Sequence, residues 1–189
     1  MKKLLESIKN RDPAAKSYIT ILITYPGVKA VFIHWFANRL WNFKMYLFAR
    51  AISQFGRFIT GIEIHPAATI GENLFIDHGM GIVIGETAQI GNDVTLYHGV
   101  TLGGISPAED SKNQINVKRH PTLEDNVIIG SGAQILGPIN IGKGARVGAN
   151  AVVTKDVPEN ATMVGIPAKN INTDSMKDDK FRPYGVKVE

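Results

Sequence analysis

Five histidines punctuate the 189-residue chain: His34, His65, His78, His98 and His120. His78 has the surroundings best suited to proton transfer. It stands in Ile76-Asp77-His78-Gly79, inside a stretch between Arg57 and Lys112 that holds no Lys or Arg but carries Glu63, Glu72, Asp77, Glu86, Asp93, Glu109 and Asp110. Carboxylates around an imidazole favour its charged form and can fix its orientation. Glu63 precedes His78 by 15 residues. A carboxylate held on Nδ1–H would leave Nε2 free as a general base. A second group is Arg119-His120-Pro121. A guanidinium there can clamp a carboxylate through two parallel bonds, although a plain surface arginine fits the same position. His34 lies among aromatics and reads as a packing residue. A third arrangement takes His78, His98 and His120, separated by 20 and 22 residues, as stacked ligands for zinc or iron. The chain has no cysteine, so a thiolate metal site, a cysteine nucleophile and a disulfide scaffold are excluded.

The elements that must hold these groups fall into two textures that meet near residue 60. From residue 62 an aliphatic residue recurs every six positions, at Ile64, Ile70, Ile76, Ile84, Ile90, Leu96, Leu102, Leu123, Ile129, Ile135, Ile141, Val147 and Val153. Many are followed by Gly or an acid, as in Ile70-Gly71-Glu72-Asn73 and Ile90-Gly91-Asn92-Asp93. Hexapeptide periodicity marks a parallel β-helix, in which short strands turn at each corner and the aliphatic side chains stack inside. Roughly five coils of about 18 residues are expected. The register breaks twice. Two residues are extruded around Gly79-Met80-Gly81, and a polar loop over 103–120 is thrown out between Leu102 and Leu123. Loops raised from a rigid scaffold are common positions for binding groups.

Residues 1–60 read as helical. Asp12-Pro13 predicts an N-cap followed by a proline in the first turn. Tyr25-Pro26-Gly27 is a break. Phe32, Phe36, Leu40, Phe43, Leu47, Ala51, Phe55 and Phe58 form a stripe at helical spacing that predicts core packing. The expected organisation is a helical domain over 1–60, a β-helix over 61–169 and a polar, mobile tail over 170–189.

The net charge is +4 and the pI about 9.3. The bases return in the second half, at Lys112, Lys118, Arg119, Lys143, Arg146, Lys155 and Lys169 among others, with no basic helix or RNA-type aromatic motif, so no nucleic-acid partner is expected. The apolar run from Ser17 to Val28 is too short to span a bilayer, and the N-terminus lacks the features of a signal peptide. A cytoplasmic protein without a membrane partner is expected.

Several blocks together resemble the bacterial serine O-acetyltransferases, members of the hexapeptide-repeat acyltransferase superfamily. They are Asp12-Pro13-Ala14-Ala15, Gly61-Ile62-Glu63-Ile64-His65-Pro66-Ala67-Ala68, Asp77-His78-Gly79, Gly85-Glu86-Thr87-Ala88, Val100-Thr101-Leu102-Gly103-Gly104, Lys118-Arg119-His120-Pro121-Thr122 and Val164-Gly165-Ile166-Pro167-Ala168. The resemblance runs from about Asp12 to Lys169. It implies a mainly β fold: a left-handed parallel β-helix behind an N-terminal helical domain. The left hand comes from the resemblance alone, since general connection rules favour right-handed crossovers.

The resemblance also implies an activity, transfer of the acetyl group of acetyl-CoA to the hydroxyl of L-serine in cysteine biosynthesis. His78 matches the catalytic base. Glu63 matches its orienting carboxylate, where many members have Asp. Asp12 and Asp77 match the pair that holds the substrate ammonium, and Arg119 and His120 the groups that hold its carboxylate. Contacts to CoA map onto Gly104, Ser131, Arg146 and Ala149, with Lys143 a further basic candidate for the CoA phosphates. No metal is implied. Family members form trimers, often paired through their helical domains, with active sites in clefts between neighbouring β-helices. L-cysteine is the expected feedback inhibitor. The family often docks a C-terminal isoleucine into cysteine synthase, whereas this sequence ends Lys187-Val188-Glu189, leaving that partnership open. The loop over 104–118 is longer than in many members. The alternatives are an acetyltransferase for another small acceptor, a metal-dependent β-helical enzyme and a non-catalytic trimeric scaffold.

Overall fold

A computed structural model describes residues 2–105 and 111–170. The six-residue period becomes a three-faced parallel solenoid of about five turns. The first face carries Glu63–Ile64, Val83–Ile84, Thr101–Gly103, Gln134–Leu136 and Val152–Val153. The second carries Thr69–Ile70, Gln89–Ile90, Thr122–Leu123 and Asn140–Ile141. The third carries Phe75–Asp77, Thr95–Tyr97, Ile128–Ile129, Arg146–Val147 and Thr162–Val164, with Lys169–Asn170 added antiparallel.

The repeat positions pair coil on coil. Ile64, Ile84, Leu102, Ile135 and Val153 stack on the first face. Ile70, Ile90, Leu123 and Ile141 stack on the second, and Ile76, Leu96, Ile129 and Val147 on the third. All are buried except Ile70, which is half-buried against the same core. Each buried Ile, Leu or Val contributes about 1.5–3 kcal/mol by leaving water, but only once a neighbouring coil covers it.

The corners require left-handed backbone. Along the edge between the second and third faces these positions are Asn73, Asp93, Asn126 and Asn160, with φ between 54° and 60°, and Gly144. Asn and Asp tolerate this conformation because their short side chains bond locally. Asn73 Nδ2, for example, donates to Asp93 Oδ1 at 3.1 Å.

Four helices precede the solenoid: α1 (Lys2–Arg11), α2 (Tyr18–Thr24), α3 (Pro26–Asn42) and α4 (Tyr46–Thr60). The helix start expected at Asp12-Pro13 is not found. Asp12 follows the end of α1 and closes a turn by accepting the Ala14 N–H at 2.8 Å. Ser17 takes the capping role instead, its hydroxyl accepting the Thr20 N–H at 3.1 Å, and Pro26 is the proline that opens a helix.

The aromatic stripe is helical, as its spacing predicts, but it is not core. Phe43 is 75% exposed, Leu47 77% and Phe58 85%. The faces turned inward hold smaller groups: Gly27, Ala30, His34 and Ala37 on α3, and Ala49, Ser53, Gly56 and Thr60 on α4. The reason is distance. A Cβ on Gly27 would lie 2.5 Å from the carbonyl oxygen of Ile76, so α3 rests directly on solenoid backbone and large side chains must point away. Outside, α3 and α4 line an apolar groove of about 490 Å³ bounded by Phe32, Phe36, Leu40, Phe43, Ile52 and Phe55. His34 is a packing residue, as read from the sequence.

No single described helix is long and apolar enough to cross a membrane, although α2 and α3 together, bent by 67°, meet the length and composition criteria. The extruded loop contains a short 3₁₀ turn, Ser111–Gln114. The tail expected to be mobile and the Lys187-Val188-Glu189 terminus lie outside the described residues.

Candidate active site

The first register break lies at the edge where the third face turns into the first. There His78 adopts φ 59°, a left-handed conformation costly for a residue with a Cβ, followed by Gly79 at 81° and Gly81 at 78°. Strain of this kind persists only where the surrounding structure imposes it, and it concentrates at functional sites. It throws the imidazole outward, leaving the side chain 76% exposed with Nε2 3.9 Å from Asp77 Oδ1. His98, on the next coil of the same edge, meets His78 edge-on with ring centroids 5.9 Å apart. Asp77 is held above the usual carboxylate range by burial first, with the nearby Asp12 charge adding to the effect and His78 and His98 opposing it. Asp12 thus belongs to this cluster despite its distance in sequence. Its second oxygen accepts the Tyr25 hydroxyl.

Glu63 borders the same edge, where the Gly81 N–H donates to the Gly61 carbonyl at 2.9 Å. Its carboxylate, however, pairs with Arg57 of α4 at 3.0 Å. Among the described residues the carboxylate beside His78 is Asp77, so the expected Glu63–His78 contact is not formed in the single chain.

Arg119 and His120 lie at a different edge, between the first and second faces. The Gly85-Glu86-Thr87 turn of the preceding coil builds their seat. The Thr87 hydroxyl accepts the backbone N–H groups of Arg119 at 3.0 Å and of His120 at 3.1 Å. The Thr87 N–H donates to His120 Nδ1 at 3.1 Å. Nδ1 is therefore an acceptor, and the neutral ring carries its proton on Nε2. Burial, then the Arg119 charge, pushes the His120 pKa down to about 4, so the ring is neutral at physiological pH. Glu86 Oε2 accepts from Arg119 Nη2 at 2.8 Å. Gly85 leaves the space that the imidazole fills: a Cβ there would fall 2.0 Å from His120 Cδ2. Lys118 caps this seat, donating to the Thr87 carbonyl at 2.6 Å. His65 is also held at about 4, by burial first and then by Arg50.

One edge therefore presents acids and an exposed imidazole, and the other a cation with a neutral donor. They stand at opposite ends of the first face. Gly81 to Gly85 spans four extended steps, about 13 Å at 3.3 Å each. A single amino acid cannot reach both edges of one chain.

The four expected CoA positions divide likewise. Ser131 and Ala149 continue the His78 edge: the Gly132 N–H donates to the His98 carbonyl and the Asn150 N–H to the Ser131 carbonyl, each at 2.8 Å. Arg146 lies on the third face three residues before Ala149. Gly104 lies at the other edge, where an added Cβ would sit 3.4 Å from the Arg119 carbonyl. Lys143 belongs to the asparagine-bearing edge, its N–H bonded to Glu124 at 2.9 Å. His78, His98 and His120 do not gather as a metal site, because His120 lies on the other edge, and no cluster of metal-ligating side chains forms among the described residues.

Sequence reasoning missed Tyr25, Arg57, Glu86 and Thr87 as partners of the candidate groups, and it read His98 only as a metal ligand. The one available signal was the Gly-Glu-Thr-Ala block. Its register against Arg119-His120 becomes visible only once the extruded loop is discounted.

A parallel hexapeptide solenoid whose outward imidazole and charged edges suit transfer chemistry defines a hexapeptide-repeat transferase. Residues 120–155 match the bacterial transferase hexapeptide family, a model of six repeats. A serine acetyltransferase of Helicobacter pylori is 52% identical over 170 residues, covering 90% of this chain and 95% of that protein. The crystal structure of Neisseria gonorrhoeae serine acetyltransferase in complex with serine superposes with a TM-score of 0.83 at 38% identity, covering 90% of this chain and 67% of that one. A serine acetyltransferase in complex with CoA superposes with a TM-score of 0.80 at 39% identity, covering 88% and 66%. The chain belongs to the serine acetyltransferase family.

Proposed function

We propose that the protein transfers the acetyl group of acetyl-CoA to the hydroxyl of L-serine, giving O-acetyl-L-serine and CoA. The observation that carries this reading is the charge complementarity of the two edges. Asp12 and Asp77 suit an ammonium, Arg119 and His120 suit a carboxylate, and His78 is exposed beside the acids. Their separation within one chain supports sites formed between copies, with the His78 edge of one protomer facing the Arg119 edge of its neighbour. A homotrimer closes three such sites. The outward apolar face of α3 and α4 supports pairing of trimers through the helical domain, residues 1–60, and leaves 61–169 as the transferase domain.

In this reading His78 takes the proton of the serine hydroxyl as that oxygen attacks the thioester carbonyl. The resulting oxyanion needs preset donors: His98 stands beside His78 on the adjacent coil, and the Gly103-Gly104 turn of the neighbouring protomer lies on the facing edge. As the C–S bond breaks, the proton on His78 passes to the departing sulfur. Glu63 is the carboxylate that orients His78 once it leaves Arg57, its partner in the single chain. The pantetheine arm runs up the edge past Ser131 and Ala149, two and three coils beyond His78, or about 10 and 14 Å at a strand spacing near 4.8 Å. Arg146 lies beside its path toward the CoA phosphates. No step calls for a metal. L-cysteine carries the same two charges as serine and occupies the site as an inhibitor. A CoA thioester as donor fits the cytoplasmic location read from the sequence.

The test is direct. Purified protein with acetyl-CoA and L-serine should release free CoA thiol, with the same rate in EDTA. Acetylation of another small alcohol in preference to serine would overturn the assignment.

A further inference from the structure

We propose that Tyr25 is a positioning residue of the ammonium half of the site: its phenolic O–H holds the Asp12 carboxylate beside Asp77, so that the substrate amine meets a preset pair of acids. This rests on the reading that Asp12 and Asp77 bind the ammonium.

The argument starts from the turn after α1. The Asp12 N–H donates to the Ile8 carbonyl at 2.9 Å, and the Ala15 N–H to the Asp12 carbonyl at 3.1 Å. These bonds fix the backbone but leave the side chain to settle its own direction. Asp12 lies close enough to Asp77 for its charge to raise that carboxyl's pKa. Two like charges at close range repel, and an untethered Asp12 would swing toward water. Two bonds oppose this. Oδ1 accepts the Ala14 N–H at 2.8 Å, and Oδ2 accepts the Tyr25 hydroxyl.

Tyr25 can be specific because its own position is dictated from both sides. It is at once the C-cap of α2 and the N-cap of α3, its N–H bonded to the Ile21 carbonyl at 3.1 Å. Two residues on, Gly27 sits directly on the carbonyl of Ile76, the neighbour of Asp77. The joint that carries the phenol is therefore seated on the strand that carries the second acid. Arg11 locks the other partner: its guanidinium donates to the carbonyls of Asn73, Asp93 and Val94 and to the Thr95 hydroxyl, fastening the end of α1 to two coils. The bond to Asp12, then burial, raises the Tyr25 pKa to about 12, which keeps the phenol a donor throughout the working range of pH.

The test is Tyr25→Phe, which keeps the ring and removes only the hydroxyl. Serine is varied at saturating acetyl-CoA, then acetyl-CoA at saturating serine. The serine KM should rise about tenfold, the effect of one lost hydrogen bond to a charged group, with the acetyl-CoA KM within about twofold of wild type. Added to Asp12→Asn, the same change should raise the serine KM by less than about twofold further, because the two residues act as one unit. An equal rise in both KM values would make Tyr25 merely structural and overturn the proposal, as would no change in either. An Asp12→Asn variant with an unaltered serine KM would instead sink the ammonium reading on which the proposal rests.

Discussion

Glu63 and Arg57 form an ion pair, 3.0 Å from nitrogen to oxygen, that ties the last turn of α4 to the first strand of the solenoid. The arginine end is 58% exposed, so the pair itself adds little stability, at most about 1 kcal/mol. Its effect is to fix where the carboxylate points. Arg57→Gln should leave the melting temperature within about 4 °C of wild type. Glu63→Gln, in contrast, should lower kcat about tenfold as His78 loses its supporting charge. Equal kcat values for Glu63→Gln and wild type would confine Glu63 to a structural role.

His78→Ala should lower kcat by about 10²–10⁴-fold, the usual worth of a positioned general base, with the serine KM little changed. Steady-state rates at saturating substrates measure this. A variant with wild-type kcat would remove the imidazole from proton transfer.

The seat of His120 predicts a sharp steric effect. Gly85→Ala puts a methyl group 2.0 Å from the ring, and the ring is itself buried, so it must leave its place above Thr87. The serine KM should rise at least tenfold, an order of magnitude set by the loss of one charge-matched contact. Glu86→Gln, which loosens Arg119 without touching the ring, should raise it less. A serine KM unaffected by Gly85→Ala would show that His120 does not touch the amino acid.

The proposed sharing of sites between copies is itself testable. His78→Ala and Arg119→Ala each disable every site in a uniform assembly. Mixed by co-expression in equal amounts, the two variants should regain about a quarter of wild-type activity, since random assembly pairs an intact edge with an intact edge in half of a half of the sites. Mixtures as inactive as their parents would mean that each site lies within one chain.

Stability should fall in mild acid. Buried His34 has a pKa of about 4 against an ordinary 6.5, chiefly because burial disfavours its charge. Between these values the unfolded chain binds the extra proton and the folded one does not, so stability rises with pH across that window. The contribution is fully present above pH 6.5 and is lost as pH falls to 4, amounting to about 3 kcal/mol. His65 and His120 act in the same direction. Urea midpoints from pH 7 to 4 should trace this slope, and His34→Gln should flatten it. An identical slope in that variant would assign the acid sensitivity elsewhere.

The solenoid was legible in the sequence because one coil's period is enforced by its neighbours. Ile84 can be interior only if Ile64 and Leu102 are too, so the pattern repeats itself into visibility. The helical stripe misled because periodicity reports that one face differs from the other, not which face is inside. On α4 the contact with the solenoid admits only Ala49, Ser53, Gly56 and Thr60, and the large residues are left outside. The candidate site was legible as a set of residues but not as a geometry. Arg57 meets Glu63, and Tyr25 meets Asp12, through the docking of helices whose angles no local pattern records. Thr87 finds His120 across an extruded loop whose length hides the register.

The chain reverses after Val164, and Lys169–Asn170 runs antiparallel along the outermost strand of the third face. Every other strand pairing among the described residues is parallel, so the last coil is where another strand could add in register. The reversed segment offers such a strand a ladder of the wrong polarity and closes that edge of the last coil, as α3 and α4 cover the first. Removing it should bare a strand edge at that end and lower solubility, while leaving the chemistry of the two charged edges untouched.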